Sequence, residues 1–258
     1  MPEANGFVFQ SASTTHPGRV RSVNQDALID LPERGVWAVA DGVGGHQQGE
    51  AASQAVVSAI AEVATSAHPE GLVEAIRQGI IGVNQQLLQR AHELGPDALI
   101  ASTVAVMVAD TNHCICLWAG DSRVYGFRQG RLSRLTRDHS QVEELVERGL
   151  LSAQDALHHP EANIILRAVG RTQMLELDAV VYDLYDQDKY LLCTDGITKE
   201  LDEQEIAAVL AKGSCHENCK QLLELALSRH CADNVAMIVV DARLQDAGDT
   251  TLRRMRQH

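Results

Sequence analysis

Apolar residues recur with two different periods along the chain, and each change of period marks a new kind of element. Near the start, "GFVFQSAST", "DALIDL" and "GVWAVAD" are short apolar runs that end at glycine, proline or charged residues, which predicts β-strands. From Glu50 the apolar residues instead recur every three or four positions. They include Val56, Ile60 and Val63, and the pattern resumes in residues 72–87. This spacing predicts two amphipathic helices joined around "SAHPEG".

The second half of the chain repeats this order of strands and helices. The runs "STVAVMVAD", "CICLWAGD" and "RVYGFRQGRLSRL" are joined by short turns, so neighbouring strands must be antiparallel. The last run carries its own turn at Gln129 and Gly130. Gln141–Arg148 and Ser152–Leu157 predict brief helices. The runs "LDAVVYDL", "KYLLCTD" and "NVAMIVVDA" predict later strands, and "EQEIAAVLAK" and "HENCKQLLELALSRH" predict a second helical pair.

Two groups of strands, each accompanied by a helical pair, predict an α/β layered sandwich with largely antiparallel sheets. A chain of 258 residues can bury roughly three quarters of the surface that its unfolded form exposes. No linker, repeat or low-complexity run divides it, so we predict one domain. No apolar run has the length of a membrane span, and the first ten residues lack a signal-peptide pattern. We therefore expect a cytoplasmic protein without membrane contact.

Charge and cysteine content exclude further classes of partner. The net charge is −13, and Lys and Arg cluster only in the short tail "LRRMRQH", so we expect no nucleic-acid partner. The six cysteines lack the dense spacing of a secreted disulfide scaffold, and we expect them to be reduced. Cys215 and Cys219 with His216 are conceivable zinc ligands, but no second cysteine pair has zinc-finger spacing.

Candidate chemistry emerges where aspartates meet strand ends. Asp41, Asp121 and Asp195 end predicted strands, and Asp233 directly precedes the last one. One such aspartate is typical of a turn or a helix cap. Four together would repel one another unless a cation offsets their charge, and Mg²⁺ and Mn²⁺ prefer such oxygen ligands. The glycine that follows Asp41 would let the backbone approach an ion closely.

A second candidate group lies upstream in "HPGRVRSVNQDA". Asn24 and Asp26 are compatible with an ordinary turn, and Arg19 or Arg21 with a solvated charge. An arginine beside a carboxylate and metal site has a more specific use, since its planar fork can hold two oxygens of a phosphate.

Eight stretches together resemble the metal-dependent protein serine/threonine phosphatases of type 2C (PPM family), in their bacterial form. They occur in the family's order between Gly18 and Val240, over nearly the whole chain. They are "GRVRSVNQD", "VADGVGGHQQGE", "STVAVMV", "WAGDSRVYGFRQG", "LTRDHS", "HPEANIILRAVG", "LLCTDGIT" and "CADNVAMIVV".

The resemblance implies an α/β (α+β) four-layer sandwich of two central antiparallel β-sheets flanked by pairs of α-helices. It also implies one catalytic domain over residues 1–243, with a flap at about 141–163, and a polar C-terminal tail over 244–258. At one end of the sandwich we expect a centre of two Mn²⁺ or Mg²⁺ ions, with a third ion as a further expectation.

The family's motifs assign a role to each candidate. Asp41 would bridge the two metals, and the Gly42 carbonyl would ligate one of them. Asp195 and Asp233 would complete the first metal, and Asp26 would act through a metal-bound water.

Two further roles complete the site that the resemblance implies. Asp121, together with Asp195, resembles the third-metal site of bacterial members. Arg21 would bind the substrate phosphate. Arg21 and Asp41 are thus the expected catalytic residues.

The implied reaction is hydrolysis of protein phosphoserine and phosphothreonine by a metal-bridging water or hydroxide. We expect a monomer that opposes a bacterial Ser/Thr kinase on that kinase's substrates. A cysteine phosphatase is excluded, since no cysteine begins a Cys-x₅-Arg loop.

Two departures from the family pattern and two rival functions stay open. Eukaryotic relatives often carry histidine after the metal-binding Asp-Gly, whereas this chain has Val43, and His46 three residues later does not inherit the role. Gln25 replaces the usual glutamate of "NED", so metal affinity can differ. The rivals are a catalytically silent phosphoprotein-binding module and a hydrolase of small phosphoesters or nucleotides.

Overall fold

The computed structural model describes residues 6–44, 48–68, 70–156 and 159–245, apart from the side chains of residues 153 and 154. Within these ranges the strands are β1 (Phe7–His16), β2 (Asp26–Leu31), β3 (Val36–Gly44), β4 (Ile100–Ser102), β5 (Val104–Ala109), β6 (His113–Ala119), β7 (Arg123–Arg128), β8 (Arg131–Arg134), β9 (Asp178–Asp183), β10 (Lys189–Cys193) and β11 (Val235–Leu244). The helices are α1 (Gln48–Ser66), α2 (Leu72–Leu94), α3 (Gln141–Glu147), α4 (Ala153–Ala156), α5 (Asp195–Thr198), α6 (Glu203–Leu210) and α7 (Cys215–Ser228).

The strands form two sheets whose neighbouring strands are all antiparallel. One sheet has the order β1-β11-β10-β7-β8, and the other has the order β2-β3-β5-β6-β9, with β4 also paired to β3. Alternation along each strand sends one set of side chains between the sheets and the other set toward the helices. In β3, for example, Trp37 and Val39 pack between the sheets, whereas Ala38 packs under α1 and α2.

Three apolar layers hold the sandwich together. Ile60 of α1 and Ile80 of α2 are completely buried over one sheet, and Ile206 of α6 and Leu222 of α7 are completely buried over the other. A third cluster, which includes Leu192 of β10, lies between the sheets. The predicted four-layer sandwich with its flanking helical pairs is therefore confirmed.

Two local differences from the predicted elements lie next to the candidate site. The run "STVAVMVAD" forms two strands, because Thr103 leaves the strand path between β4 and β5 and bonds to Asp41. The run "KYLLCTD" ends as a strand at Cys193, and Asp195 begins the short helix α5, which the sequence pattern did not predict. A four-residue helix is too short to show an apolar period.

The expected flap follows β8 and contains α3 and α4. Its two ends are joined by an antiparallel bridge between Ser140 and Ile165. β11 extends to Leu244, and the remainder of the expected tail, from residue 246, lies outside the described residues. The division into one domain and a tail stays a prediction.

All six cysteines are buried free thiols, as expected. Cys215 and Cys219 donate to the backbone carbonyls of Gln10 and Ala12, so they serve the packing of α7 on β1. None of the helices in the described ranges combines the length and the apolar character needed to cross a membrane.

Candidate metal centre

The predicted carboxylates come from five separate points of the chain and meet at one end of the two sheets. Asp26 begins β2, and it lies directly opposite Asp41 in the β2–β3 pair. Asp121 follows β6, Asp195 follows β10, and Asp233 precedes β11. Antiparallel pairing brings the end of one strand beside the start of its neighbour, and this places the five side chains together.

Asp41 is held by its backbone, so the point from which its carboxylate extends is fixed relative to the sheet. Its N–H donates to Thr103 Oγ1 at 2.9 Å, and its carbonyl accepts from the Thr103 N–H at 2.8 Å. The Ser102 hydroxyl also donates to this carbonyl, at 3.1 Å. These contacts come from the break between β4 and β5.

Gly42 and Gly49 touch backbone to backbone where β3 approaches the start of α1. A Cβ on Gly42 would lie 1.9 Å from the Gly49 carbonyl oxygen, and a Cβ on Gly49 would lie 2.7 Å from the Gly42 carbonyl oxygen. Neither position can therefore carry a side chain without displacement of the backbone. Glycine is thus sterically required at position 42. Gly49 is required for the same contact, and sequence reasoning did not single it out.

Two cations hold Asp233 from opposite sides. The Arg21 guanidinium lies 3.1 Å from its Oδ1, and the Lys199 ammonium lies 3.1 Å from its Oδ2. The same ammonium lies 2.5 Å from Asp195 Oδ2, so Lys199 joins two of the predicted metal ligands. Sequence reasoning missed Lys199, although its position four residues after Asp195 was a usable signal once that segment is a helix.

Asp26, the other carboxylate of the β2–β3 pair, is supported by a hydroxyl and an amide. Thr194 donates its hydroxyl hydrogen to Asp26 Oδ2 at 2.7 Å. The side chain of Asn24 accepts from the Asp26 N–H at 3.2 Å. Asn234, next to Asp233, accepts from the Gln25 N–H at 2.8 Å and so ties the loop before β2 to the start of β11.

Asp121 is positioned through the residue that precedes it. Gly120 donates its N–H to His139 Nδ1 at 3.1 Å and accepts from the His139 N–H at 2.9 Å. The imidazole lies 3.2 Å from Asp178 through Nε2 and stacks on Trp118. His139 is thus a structural residue of the site's edge, and burial lowers its pKa despite the nearby Asp178 carboxylate.

The electrostatics of the centre show an excess of negative charge in a buried place. Burial, and next the charges of Asp195 and the other site aspartates, hold the pKa of Asp41 well above its usual range. Burial is also the main cause that raises the pKa of Asp26 and that of Asp121 to about 7. Burial opposes ionisation of Asp233 as well, but Lys199 and Arg21 outweigh it and lower the pKa of that carboxyl.

The donor set fits a hard divalent cation. Three carboxylate oxygens, Oδ1 of Asp26, Asp121 and Asp195, are buried without a hydrogen-bond partner. A buried, unsatisfied carboxylate oxygen is costly, and a cation with oxygen preference removes that cost. Over the described part of the chain, no three His, Cys, Asp or Glu side chains are close enough to enclose one ion, so water or backbone oxygens would have to complete its coordination.

The structure thus brings Arg21 and the predicted ligands Asp26, Asp41, Gly42, Asp121, Asp195 and Asp233 to one region. His46 lies outside the described residues. The cysteine pair weighed as a zinc site forms no metal cluster within the described ranges.

Known proteins resemble this chain over most of its length. The model of the family Protein phosphatase 2C matches residues 15–225. The serine/threonine phosphatase stp of Listeria welshimeri is 32% identical over 243 residues, which cover 91% of this chain and 96% of the relative.

Two solved structures share the whole fold. PppA, a key regulatory component of T6SS in Pseudomonas aeruginosa, matches with a TM-score of 0.84 at 38% identity, over 92% of this chain and 99% of its own. The catalytic domain of the phosphatase PstP, in complex with two manganese ions, matches with a TM-score of 0.83 at 28% identity, over 92% and 99% of the two chains. On the strength of the family match and of these relatives, the chain belongs to the protein phosphatase 2C family.

Proposed function

We propose that this protein phosphatase hydrolyses phosphoserine and phosphothreonine on proteins by direct attack of water, at a centre of Mn²⁺ or Mg²⁺ ions held by its aspartates. The observation that carries the proposal is the set of buried carboxylate oxygens without partners, which belong to Asp26, Asp121 and Asp195. The similarity to the PstP catalytic domain, which was solved with two manganese ions, supports the same type of ion here.

Each aspartate has a proposed role that its setting supports. Asp41 would ligate both ions, and Thr103 fixes its backbone on both sides. Asp195 and Asp233 would help to hold one ion, and Asp26 would act through water. Asp121 would hold a third ion.

Gly42 would contribute its carbonyl oxygen as a ligand. The absence of a side chain at Gly42 and at Gly49 allows the two backbones to pass in contact. Any side chain at Gly42 would press on the Gly49 carbonyl and move this ligand.

Phosphate-monoester hydrolysis is among the slowest uncatalysed reactions, so the site must supply both a nucleophile at neutral pH and stabilisation of charge. When bound, paired divalent ions supply a water of lowered pKa and offset charge on the phosphoryl group. The chain's own contribution is to orient the substrate and to fix the carboxylates. Arg21 is half exposed at the edge of the site, and its guanidinium can exchange Asp233 for two oxygens of a phosphate.

The cysteines do not provide a nucleophile that would make a phosphoenzyme. All six cysteines are buried, and burial raises the pKa of Cys193, the cysteine nearest in sequence to Asp195, to about 12. A thiol with so high a pKa is not a nucleophile at neutral pH. Direct hydrolysis by water is therefore the mechanism that these residues favour.

The proposed partners are phosphorylated proteins of a bacterial Ser/Thr kinase. The similarity to PppA, a regulatory component of T6SS, favours a regulatory kinase linked to secretion as the opposing enzyme. We also propose that the protein is a monomer and that it acts in the cytoplasm. Light scattering after size-exclusion chromatography checks the oligomeric state.

The test is a phosphate-release assay on phosphoserine and phosphothreonine peptides, with phosphotyrosine peptides and free nucleotides as comparison substrates. We expect turnover with Mn²⁺ or Mg²⁺ and none in excess EDTA. Asp41→Asn and Asp195→Asn should lose turnover and keep the fold, because each substitution removes one ligand charge at nearly constant volume. Asp110→Asn, on the exposed turn after β5, is the matched control.

Each rival function gives a different result in the same assay. A silent phosphoprotein-binding module would bind the peptides without releasing phosphate. A small-molecule hydrolase would prefer the nucleotides. Full activity in EDTA would show that the carboxylates do not act through a metal.

A further inference from the structure

Lys199 places a positive charge between two proposed metal ligands, where a metal ion itself would be expected. It is the residue directly after α5, and its N–H donates to the Asp195 carbonyl at 2.8 Å. Lys199 therefore lies one helical turn after Asp195, on the same side of the helix. Its ammonium then lies 2.5 Å from Asp195 Oδ2 and 3.1 Å from Asp233 Oδ2. One cation of the protein thus bridges two proposed ligands of the same ion.

The bridge leaves Asp233 with no free oxygen. Its Oδ2 accepts from Lys199, and its Oδ1 accepts from Arg21 and from the Asn234 N–H. Asp195 has Oδ1 buried and unpaired, while its Oδ2 is held by Lys199. A metal ion that gains both carboxylates must therefore share their oxygens with the ammonium or displace it.

Lys199 has a route by which it can leave. Its side chain is 38% exposed, and its long flexible stem allows the ammonium to turn into water. A divalent ion and an ammonium repel each other strongly at a few ångströms in a partly buried place. The two cations are thus alternatives at the Asp195 and Asp233 pair.

We propose that Lys199 is a built-in competitor of the metal: it holds Asp195 and Asp233 together in the metal-free protein and swings out when the ion binds. The inference rests on the proposed metal centre. Lys199 would then have two opposite effects: it stabilises the metal-free fold, and it weakens the affinity of the site for the metal. The enzyme would then respond to a change in metal concentration that a tighter site would not register.

Isothermal titration of metal-free protein with Mn²⁺ tests this directly. Lys199→Met keeps the length and apolar stem of the side chain and removes its charge. We expect its Kd for Mn²⁺ to fall about tenfold, equivalent to about 1.4 kcal/mol. Lys199→Arg keeps the charge and should stay near the wild-type Kd.

Thermal unfolding in EDTA provides a readout that does not depend on activity. We expect the metal-free Lys199→Met protein to melt at a lower temperature than the wild type, because Asp195 and Asp233 then lack the cation that bridges them and Asp233 keeps only its pair with Arg21. The gain in melting temperature on addition of Mn²⁺ should be larger than in the wild type. Lys220→Met, at an exposed lysine of α7 paired with Glu224, is the matched control and should change neither measurement.

The outcomes distinguish a failure of the proposed competition from a failure of the proposed metal centre. An unchanged or higher Kd for Lys199→Met overturns the competition, and so does an equal fall in Kd for Lys199→Arg. If wild-type protein shows no Mn²⁺ binding, or if Asp195→Asn leaves binding intact, the metal centre itself is wrong and the inference falls with it.

Discussion

Gly42→Ala tests whether close contact between two backbones builds the metal centre. The added Cβ would lie 1.9 Å from the Gly49 carbonyl oxygen and 2.9 Å from the Gln25 carbonyl oxygen. Both are backbone atoms, so neither can turn aside as a flexible side chain could. Either β3 or the start of α1 must move.

The size of the movement follows from the contact distance. Real Cβ atoms essentially never approach other heavy atoms within 3.0 Å, so the 1.9 Å contact must open by about 1.1 Å. Gly42 is the neighbour of Asp41 and a proposed ligand itself. Misplacement of a reacting group by about 1 Å can cost about 100-fold in rate. We expect at least that loss in kcat/KM on a phosphoserine peptide, together with weaker Mn²⁺ binding.

Gly82→Ala, in the middle of α2, is the matched control. A Cβ there would meet no atom within 4 Å, and alanine is the better helix former by about 1 kcal/mol. This variant should keep its kcat/KM and melt slightly higher than the wild type. Circular dichroism confirms that both variants are folded. Wild-type kcat/KM and Mn²⁺ affinity in folded Gly42→Ala would refute the steric argument.

Three further outcomes follow from buried polar groups, two at the site and one away from it. In EDTA, the folded protein should bind more protons than the unfolded chain between about pH 4 and 7, since the pKa values of Asp26 and Asp121 are raised from 3.8 to about 7. Its melting temperature should therefore fall as pH rises through that window and fall less with Mn²⁺ present, and a flat profile would contradict the raised pKa values. Lys189→Met removes a buried ammonium that donates to the last carbonyl of α6, to a carbonyl of the loop between α6 and α7 and to one asparagine side chain, and should cost about 2–4 kcal/mol in urea unfolding; the exposed Lys212→Met should cost little, and equal values for the two would contradict this reasoning. Thr194→Val removes the hydrogen bond to Asp26 and should weaken Mn²⁺ binding, whereas Thr194→Ser should restore it; a valine variant with unchanged binding would show that this contact is not needed.

The elements that could be predicted are those with a repeating pattern. Apolar alternation and the three-to-four residue period located the strands and the long helices, because burial of one face imposes such spacing. The short helix α5 and the break at Thr103 escaped prediction. Each depends on a few hydrogen bonds rather than on a period, and these bonds form only when distant segments are in place.

Within the site, the sequence identified the residues with distinctive chemistry. Asp41, Asp121, Asp195 and Asp233 were conspicuous because each meets the end of an apolar run. Lys199 was not conspicuous. A lysine in a polar stretch is usually solvated, and its spacing from Asp195 became a signal only once that segment was known to be a helix.

The sequence by itself determined the fold class, the type of chemistry and the identity of the carboxylates, since these depend on residue type and on order along the chain. Only the tertiary structure decided which partners each carboxylate has. Asp26 meets Thr194 across 168 positions of sequence, and Asp233 meets Lys199 across 34. The charge balance of the centre, and with it the proposed competition between Lys199 and the metal, depends on such distances in space, which no spacing along the chain encodes.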